Sequence, residues 1–232
     1  DDRISGVSIR ESVSGEVFKI DARVVVNATG PFSDKIRLMD DAHAPLMLKA
    51  SSGTHIIVGA EFIPPGRGIL IPKTKDGRVV FILPWQGKTL IGTTDNAAPI
   101  TEDPKPSEAD IDFILETMKE YYKVPPQKQD ILSAWTGLRP LVQDPTMKDT
   151  ADLSRDHVIH VSESKLVTIV GGKWTTYRKM AEECVDVAVQ LGRLRTKRGC
   201  PTQNLRLSGA ERFNDETVGE LQNRYPIDDA LA

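Results

Sequence analysis

The sequence predicts an α/β chain whose strand-and-helix framework is interrupted by an antiparallel sheet, and three observations carry this. The apolar stretch Leu166 to Val170 ends at Gly171-Gly172 and runs straight into an amphipathic helix, so a helix N-terminus with unpaired N–H groups is reached through residues lacking Cβ. Ala22 to Asn27 holds the run Val24-Val25-Val26, which predicts a strand buried on both faces. That strand meets Ala28-Thr29-Gly30-Pro31, whose small residues leave its carboxyl end open. Between these two framework pieces, from Ser51 to Thr94, short β-rich runs alternate with turn dipeptides, the pattern of a meander.

The elements follow in order. Ile4 to Ile9 and Val17 to Ile20 read as strands joined through Ser14-Gly15. The meander runs through His55 to Val58, Gly68 to Pro72, Arg78 to Leu83 after Asp76-Gly77, and Thr89 to Thr93 after Gln86-Gly87. Pro104-Lys105-Pro106 closes it. Ser107, with Asp110 three residues on, predicts a capped helix. Its stripe Ile111, Ile114, Leu115, Met118 and Tyr122 reads as core, and Pro125-Pro126 stops it. Strands return at His157 to Val161 and Leu166 to Val170 around a turn at Glu163-Ser164. The helix behind the glycines is expected to bury Tyr177, Met180, Ala181, Cys184, Val185, Ala188 and Leu191. From Arg193 a basic stretch, Arg195-Thr196-Lys197-Arg198-Gly199, reads as a linker to the start of another helical unit.

Composition bounds the function. At 232 residues, 39% hydrophobic and 27% charged, the chain is an ordinary globular one. A net charge of -3 with scattered basic residues gives no case for nucleic acid. There is no apolar run long enough to span a bilayer and no signal or transit pattern. Cys184 and Cys200 are too few for a disulfide framework and lack metal-ligand spacing, which points to a reducing compartment and to no metal. The opening Asp1-Asp2-Arg3 leads into a strand within a few residues and reads as a fragment missing its true N-terminus.

Several residues could carry chemistry. His55, after Ser51-Ser52-Gly53-Thr54, is reached through a small-residue loop and is either a proton acceptor or a structural histidine. His43, His157 and His160 read as structural. Arg139, in Trp135-Thr136-Gly137-Leu138-Arg139-Pro140, is either a fork for phosphate or carboxylate or the partner of a structural carboxylate. Arg155 has Asp152 and Asp156 close by, so a surface ion pair is its default reading. Gly92-Thr93-Thr94-Asp95 ends a strand with groups that either contact a cofactor or cap a turn. Lys173 adds a full charge at the helix start behind the glycines.

Taken in order, Val26-Asn27-Ala28-Thr29-Gly30-Pro31, Ser51-Ser52-Gly53-Thr54-His55, Phe81-Ile82-Leu83-Pro84-Trp85, Gly92-Thr93-Thr94-Asp95, Thr136-Gly137-Leu138-Arg139-Pro140, Ser154-Arg155-Asp156 and Gly171-Gly172-Lys173-Trp174-Thr175-Thr176-Tyr177-Arg178 resemble the FAD-dependent glycerol-3-phosphate dehydrogenases. The resemblance covers about Gly6 to Leu191, and Cys200-Pro201-Thr202 and Leu207-Ser208-Gly209-Ala210 resemble the link to the accessory domain of the mitochondrial branch. It departs from the family in lacking the Gly-x-Gly-x-x-Gly turn that holds the ADP half of FAD.

The resemblance implies an α/β FAD-binding fold of the glutathione-reductase and D-amino-acid-oxidase kind with an antiparallel substrate sheet. Residues 1–40 would be the second part of the FAD domain and 41–130 the substrate domain. Residues 131–192 would return to the FAD domain, and 193–232 would begin a helical accessory domain. It implies hydride transfer from C2 of glycerol 3-phosphate to flavin, giving dihydroxyacetone phosphate, and onward transfer of electrons to a membrane quinone. The catalytic residues implied are His55 as base, Arg139 and Lys173. Arg139, Arg155 and Lys173 would bind substrate, and Ala28, Thr29, Gly30, Thr93, Gly171, Gly172, Lys173, Trp174, Thr175 and Thr176 would contact FAD. Peripheral attachment to the mitochondrial inner membrane comes with the resemblance, and association of two copies stays open. The alternatives are another FAD amine or amino-acid oxidoreductase of this fold, or a non-catalytic fragment unable to hold FAD.

Overall fold

The computed structural model describes residues 3–142, 156–196, 199–210, 213–214 and 216–227. The chain divides into two compact units, Asp1–Arg195 and Thr196–Ala232. Arg155, Asp152, Lys197 and Arg198 lie outside the described residues.

The first unit opens with a hairpin of β1 (Gly6–Arg10) and β2 (Val17–Asp21). The short β3 (Val26–Asn27) leads through a 3-10 turn at Gly30–Phe32 into α1 (Ser33–Asp40). β3 pairs in parallel with β11 (Val167–Gly171), which pairs antiparallel with β10 (His157–Val161). Because β3 and β11 run the same way, the Ala28-Thr29-Gly30 turn and the Gly171-Gly172 turn emerge at the same end of this small sheet. The strand predicted to be buried on both faces is therefore corrected: β3 has only two residues, and Val26 is 43% exposed. Its one described partner strand is β11, so no described strand pairs with its other edge.

The larger sheet is built from β4 (Leu48–Val58), β5 (Ile69–Ile71), β6 (Val80–Trp85), β7 (Lys88–Gly92), β8 (Asn96–Ala97) and β9 (Ser133–Val142). Its pairs are all antiparallel: β5 with β6, β6 with β7, and β4 with β7, β8 and β9. The small-residue stretch before His55 was expected to be a loop, yet Ser51-Ser52-Gly53-Thr54 lies inside β4. Register with β9 from Leu48↔Val142 to Ile57↔Ser133 makes it strand. Ladder hydrogen bonds along a ten-residue partner outweigh the low strand preference of serine and glycine.

α2 (Glu108–Tyr121) packs across one face of this sheet. Ser107 Oγ accepts the Asp110 N–H at 3.1 Å and Asp110 Oδ2 accepts the Ser107 N–H at 3.4 Å, completing the predicted capping box. Ile114 and Met118, both fully buried, meet Ile56, Val58, Val80, Ile82 and Ile91, and Ile111 and Tyr122 pack against that core. A smaller cluster of Leu48, Val142 and Val170 joins the long strands to β11. α1 is tied to the start of β4 by the Asp34 carboxylate, which pairs with Arg37 at 2.8 Å and accepts the N–H groups of Met47 and Leu48.

α3 (Tyr177–Gly192) corrects a second expectation: of its predicted buried stripe only Cys184 is buried, while Tyr177 is 55% and Val185 57% exposed. Its backing is a three-stranded sheet, which covers a narrower stripe than the helix presents. The second unit holds a 3-10 turn at Pro201–Gln203 and α4 (Thr217–Arg224).

Candidate active site

Residues directly opposite in an antiparallel ladder project from the same face. His55 stands opposite Gly92 on β7 and Trp135 on β9; Ser51 stands opposite Arg139, and Gly53 opposite Gly137. The face of the sheet turned away from α2 therefore carries His55, Trp135 and Arg139 around three glycines.

Arg139 is laid down over the Cβ-free backbone of Gly53, where an added Cβ would come within 2.3 Å of its Nη2. Nη1 donates to the carbonyls of Ser52 at 3.3 Å and Thr94 at 3.2 Å and reaches Asp95 Oδ1 at 3.4 Å, while Nη2 donates to Thr93 Oγ1 at 2.8 Å. Asp95 in turn accepts from the Ser51 hydroxyl. A guanidinium held by four acceptors points in one direction, which suits it to meet an oxyanion without reorganising. Arg139 thus has the carboxylate neighbour that one reading expects, and it also lines an open cavity.

That cavity has a volume of about 860 Å³ and is walled on one side by Thr93, Asp95 and Arg139 and on the other by Gly171, Gly172, Lys173 and Trp174. Both glycines have φ of +79°, a conformation that carries the chain sharply from β11 into a 3-10 turn at Trp174–Thr176 and then α3. Lys173 is exposed and makes no ion pair among the described residues. Thr176 Oγ1 donates to the Lys173 carbonyl at 3.0 Å, which closes the turn. Thr175 and Thr176 are exposed and stand outside the cavity wall.

His55 also stands outside that wall but on the same sheet face, and the positive charge of Arg139 reaches it. Burial first, and Arg139 second, hold its pKa below the ordinary histidine value, so the ring is neutral at pH 7. At the end of β3, buried Asn27 organises the predicted turn. Its Nδ2 donates to the Ser33 carbonyl at 2.9 Å and its Oδ1 accepts the Thr29 hydroxyl at 2.8 Å, setting Ala28, Thr29 and Gly30 at the sheet's carboxyl end. The histidines read as structural divide: His157 pairs with Glu183 at 2.7 Å, whereas His160 faces Arg37 with its Nδ1 buried and unpartnered among the described residues.

Sequence assigned no site role to Trp135, Gly53 or Arg78, and Gly92 and Asp95 entered only as part of the Gly92-Thr93-Thr94-Asp95 stretch that either contacts a cofactor or caps a turn. Arg78 lines the cavity, with its guanidinium paired to Asp76 and lying 3.6 Å from the Phe113 ring centroid. Strand register alone brings Trp135 to His55, and no local signal encodes register.

A family model described as FAD dependent oxidoreductase matches residues 1–178. The chain belongs to this family. Among FAD dependent oxidoreductases, it is 48% identical to the Arabidopsis thaliana protein named glycerol-3-phosphate dehydrogenase SDP6, mitochondrial, over 96% of this chain and 36% of that protein. It is 42% identical to the Homo sapiens protein named glycerol-3-phosphate dehydrogenase, mitochondrial, over 99% of this chain and 32% of that one. The glycerol-3-phosphate dehydrogenase of Bacillus halodurans, solved in complex with FAD, superposes with a TM-score of 0.82 at 32% identity, covering 96% of this chain and 43% of that one. The chain thus spans about a third of the length of the curated relatives it matches.

The described residues fit part of an FAD site. Bare glycine backbone at Gly171 and Gly172 lines a cavity that is wide enough for a flat ring system, and two parallel strands open their carboxyl ends toward one side, the position at which open α/β sheets receive nucleotides. Among these residues no helix is long and apolar enough to cross a membrane, and no group of three His, Cys, Asp or Glu side chains could hold a metal.

Proposed function

We propose that this chain is the substrate sheet and the closing part of the flavin site of an enzyme that oxidises glycerol 3-phosphate to dihydroxyacetone phosphate. The observation that carries this reading is Arg139, fixed by four acceptors on a cavity wall that faces Lys173. The names of relatives 42–48% identical across nearly the whole chain support the substrate.

Oxidising the C2 carbinol requires removal of a hydride from carbon and a proton from oxygen. FAD, when bound, supplies the two-electron acceptor; the chain's own residues handle charge and proton. His55, kept neutral at pH 7, takes the hydroxyl proton. Arg139 stabilises the negative charge that grows on the C2 oxygen. Lys173 and Arg155 bind the phosphate, a dianion for which several cations are appropriate, whereas a single carboxylate would leave excess positive charge unpaired. Ala28, Thr29, Gly30, Thr93 and the turn from Gly171 through Trp174 to Thr176 would hold FAD, and the positive end of α3 would favour negative charge placed before it. Onward transfer to a membrane quinone, peripheral attachment to the mitochondrial inner membrane and the domain boundaries set out from sequence belong to this same proposal. The relatives' mitochondrial names support the compartment.

The test uses the full-length protein that contains this chain, followed by its flavin absorbance without oxygen. Glycerol 3-phosphate should bleach the flavin rapidly. His55→Ala and Arg139→Ala should each slow bleaching by about a hundredfold or more, in the range typical of lost general-base or oxyanion contacts. Bound flavin that stays oxidised would point to a different substrate, and a protein that takes up no flavin would end the enzymatic reading.

A further inference from the structure

We propose that Trp135 is the positioning residue for His55: its indole face and the bare backbone of Gly92 clamp the imidazole and set the direction in which it meets the substrate hydroxyl. The proposal rests on the reading of His55 as the base.

A catalytic histidine is commonly oriented by an acceptor on its second ring nitrogen. Here Nδ1 of His55 is buried and has no hydrogen-bond partner among the described residues. No described carboxylate or carbonyl holds the ring through that nitrogen, which leaves packing to orient it. From one edge of β4, Trp135 stands in register with His55 and stacks on it with ring centroids 5.6 Å apart and planes 13° from parallel. That is an offset stack within the favourable range of about 4.5–7 Å.

From the other edge, Gly92 stands in register too, and a Cβ there would come within 2.4 Å of Cδ2 and 2.8 Å of Cγ. Only glycine leaves room for the ring at that distance. Trp135 is 41% exposed and belongs to neither core cluster, so its indole is spent on the histidine and not on holding the fold together.

The clamp also keeps water from the ring. Among the described residues, the charged groups near His55 are Arg139 from β9 and, beside it, Asp95; β7 and β6 present Gly92 and Phe81 in register, which carry no charge. Burial is the larger reason that His55 stays neutral, with Arg139 the smaller one. Removing the indole should therefore both loosen the ring and let its pKa rise.

The full-length protein with Trp135→Ala, Trp135→Phe and Gly92→Ala would be followed in two ways: NMR titration of the labelled His55 imidazole, and the pH dependence of flavin reduction by glycerol 3-phosphate. In Trp135→Ala the His55 pKa should rise by about half a unit to one unit as burial is relieved. The acid limb of the reduction rate should rise with it. The maximal rate should drop about tenfold or more while glycerol 3-phosphate binding changes by about twofold at most, since orientation and not affinity is lost. Phenylalanine, which also stacks, should recover most of the rate, and Gly92→Ala should reproduce the loss by displacing the ring. An unmoved His55 titration and an unchanged rate in Trp135→Ala, or no recovery with phenylalanine, would overturn the clamp. Should glycerol 3-phosphate fail to reduce the wild-type flavin, the reading of function falls, yet the His55 titration still decides whether Trp135 and Gly92 hold the ring.

Discussion

At the scale of single residues, the candidate site depends on where side chains are missing as much as on where they stand. Gly53 and Gly137 face each other across β4 and β9, but only Gly53 lies beneath the Arg139 guanidinium; a Cβ at Gly137 would meet nothing within 4 Å. Gly53→Ala should therefore push the guanidinium aside and slow flavin reduction by about a hundredfold, the cost typical of misplacing a reacting group by an ångström. The melting temperature should scarcely change, because the displaced atoms are the free end of a flexible side chain. Gly137→Ala should cost far less. Stopped-flow reduction and a thermal melt on both variants would check the contrast, and equal losses would show that Arg139 is not what Gly53 makes room for. Arg139 was legible in sequence as a candidate because aromatic, glycine and proline surround it. Its four acceptors were not, since Ser52 in β4 and Thr93 to Asp95, in the connection between β7 and β8, lie far away in the chain.

At the scale of elements, α2 backs the large sheet on the face opposite the candidate site. Ile114 and Met118 are fully buried against Ile56, Val80 and Ile91, so Met118→Ala should destabilise the protein by about 2–5 kcal/mol, the range for emptying a packed core position. The cap contributes less. Ser107→Ala should cost about 1 kcal/mol, read from chemical denaturation. Asp110 does more than cap: burial pushes its pKa up, but hydrogen bonds with Ser107, Thr94 and Thr54 prevail and hold it low, and Asn96 Nδ2 donates to it at 2.6 Å. The helix end is thereby tied to the segment that carries Thr93 and Asp95. This helix could be read from its sequence because a capping signal, an apolar stripe at helical spacing and a double proline all agree. The stripe of α3 was misjudged because periodicity says which side chains share a face, while the width of the neighbouring sheet decides how many of them are covered.

At the scale of the whole molecule, pH should act through two half-buried histidines. Burial, aided by Arg139 for His55 and by Arg37 for His160, lowers both pKa values below 6.5. The unfolded chain then binds protons more readily than the folded one, so stability should be full above about pH 6.5 and decline as pH falls through the lowered values. Asp76, drawn down to about 2 from 3.8 chiefly by its hydrogen bond with Arg78, adds stability above 3.8 that is lost on approaching pH 2. Denaturation midpoints measured across this range should fall in two stages, and His160→Gln should flatten the upper one. The fold class, the capped helix α2, the turn at Gly171-Gly172 and the likeness to glycerol-3-phosphate dehydrogenases were determined by sequence, because glycine geometry, hydrophobic period and capping are local; α1 and the ten-residue β9 were not read from it. Tertiary structure alone decided that Ser51 to Thr54 is strand, that β3 is short, and that Trp135 and Gly92 flank His55. Register is set by how many ladder bonds and buried side chains a pairing gains along its full length, and no short stretch of chain holds that sum.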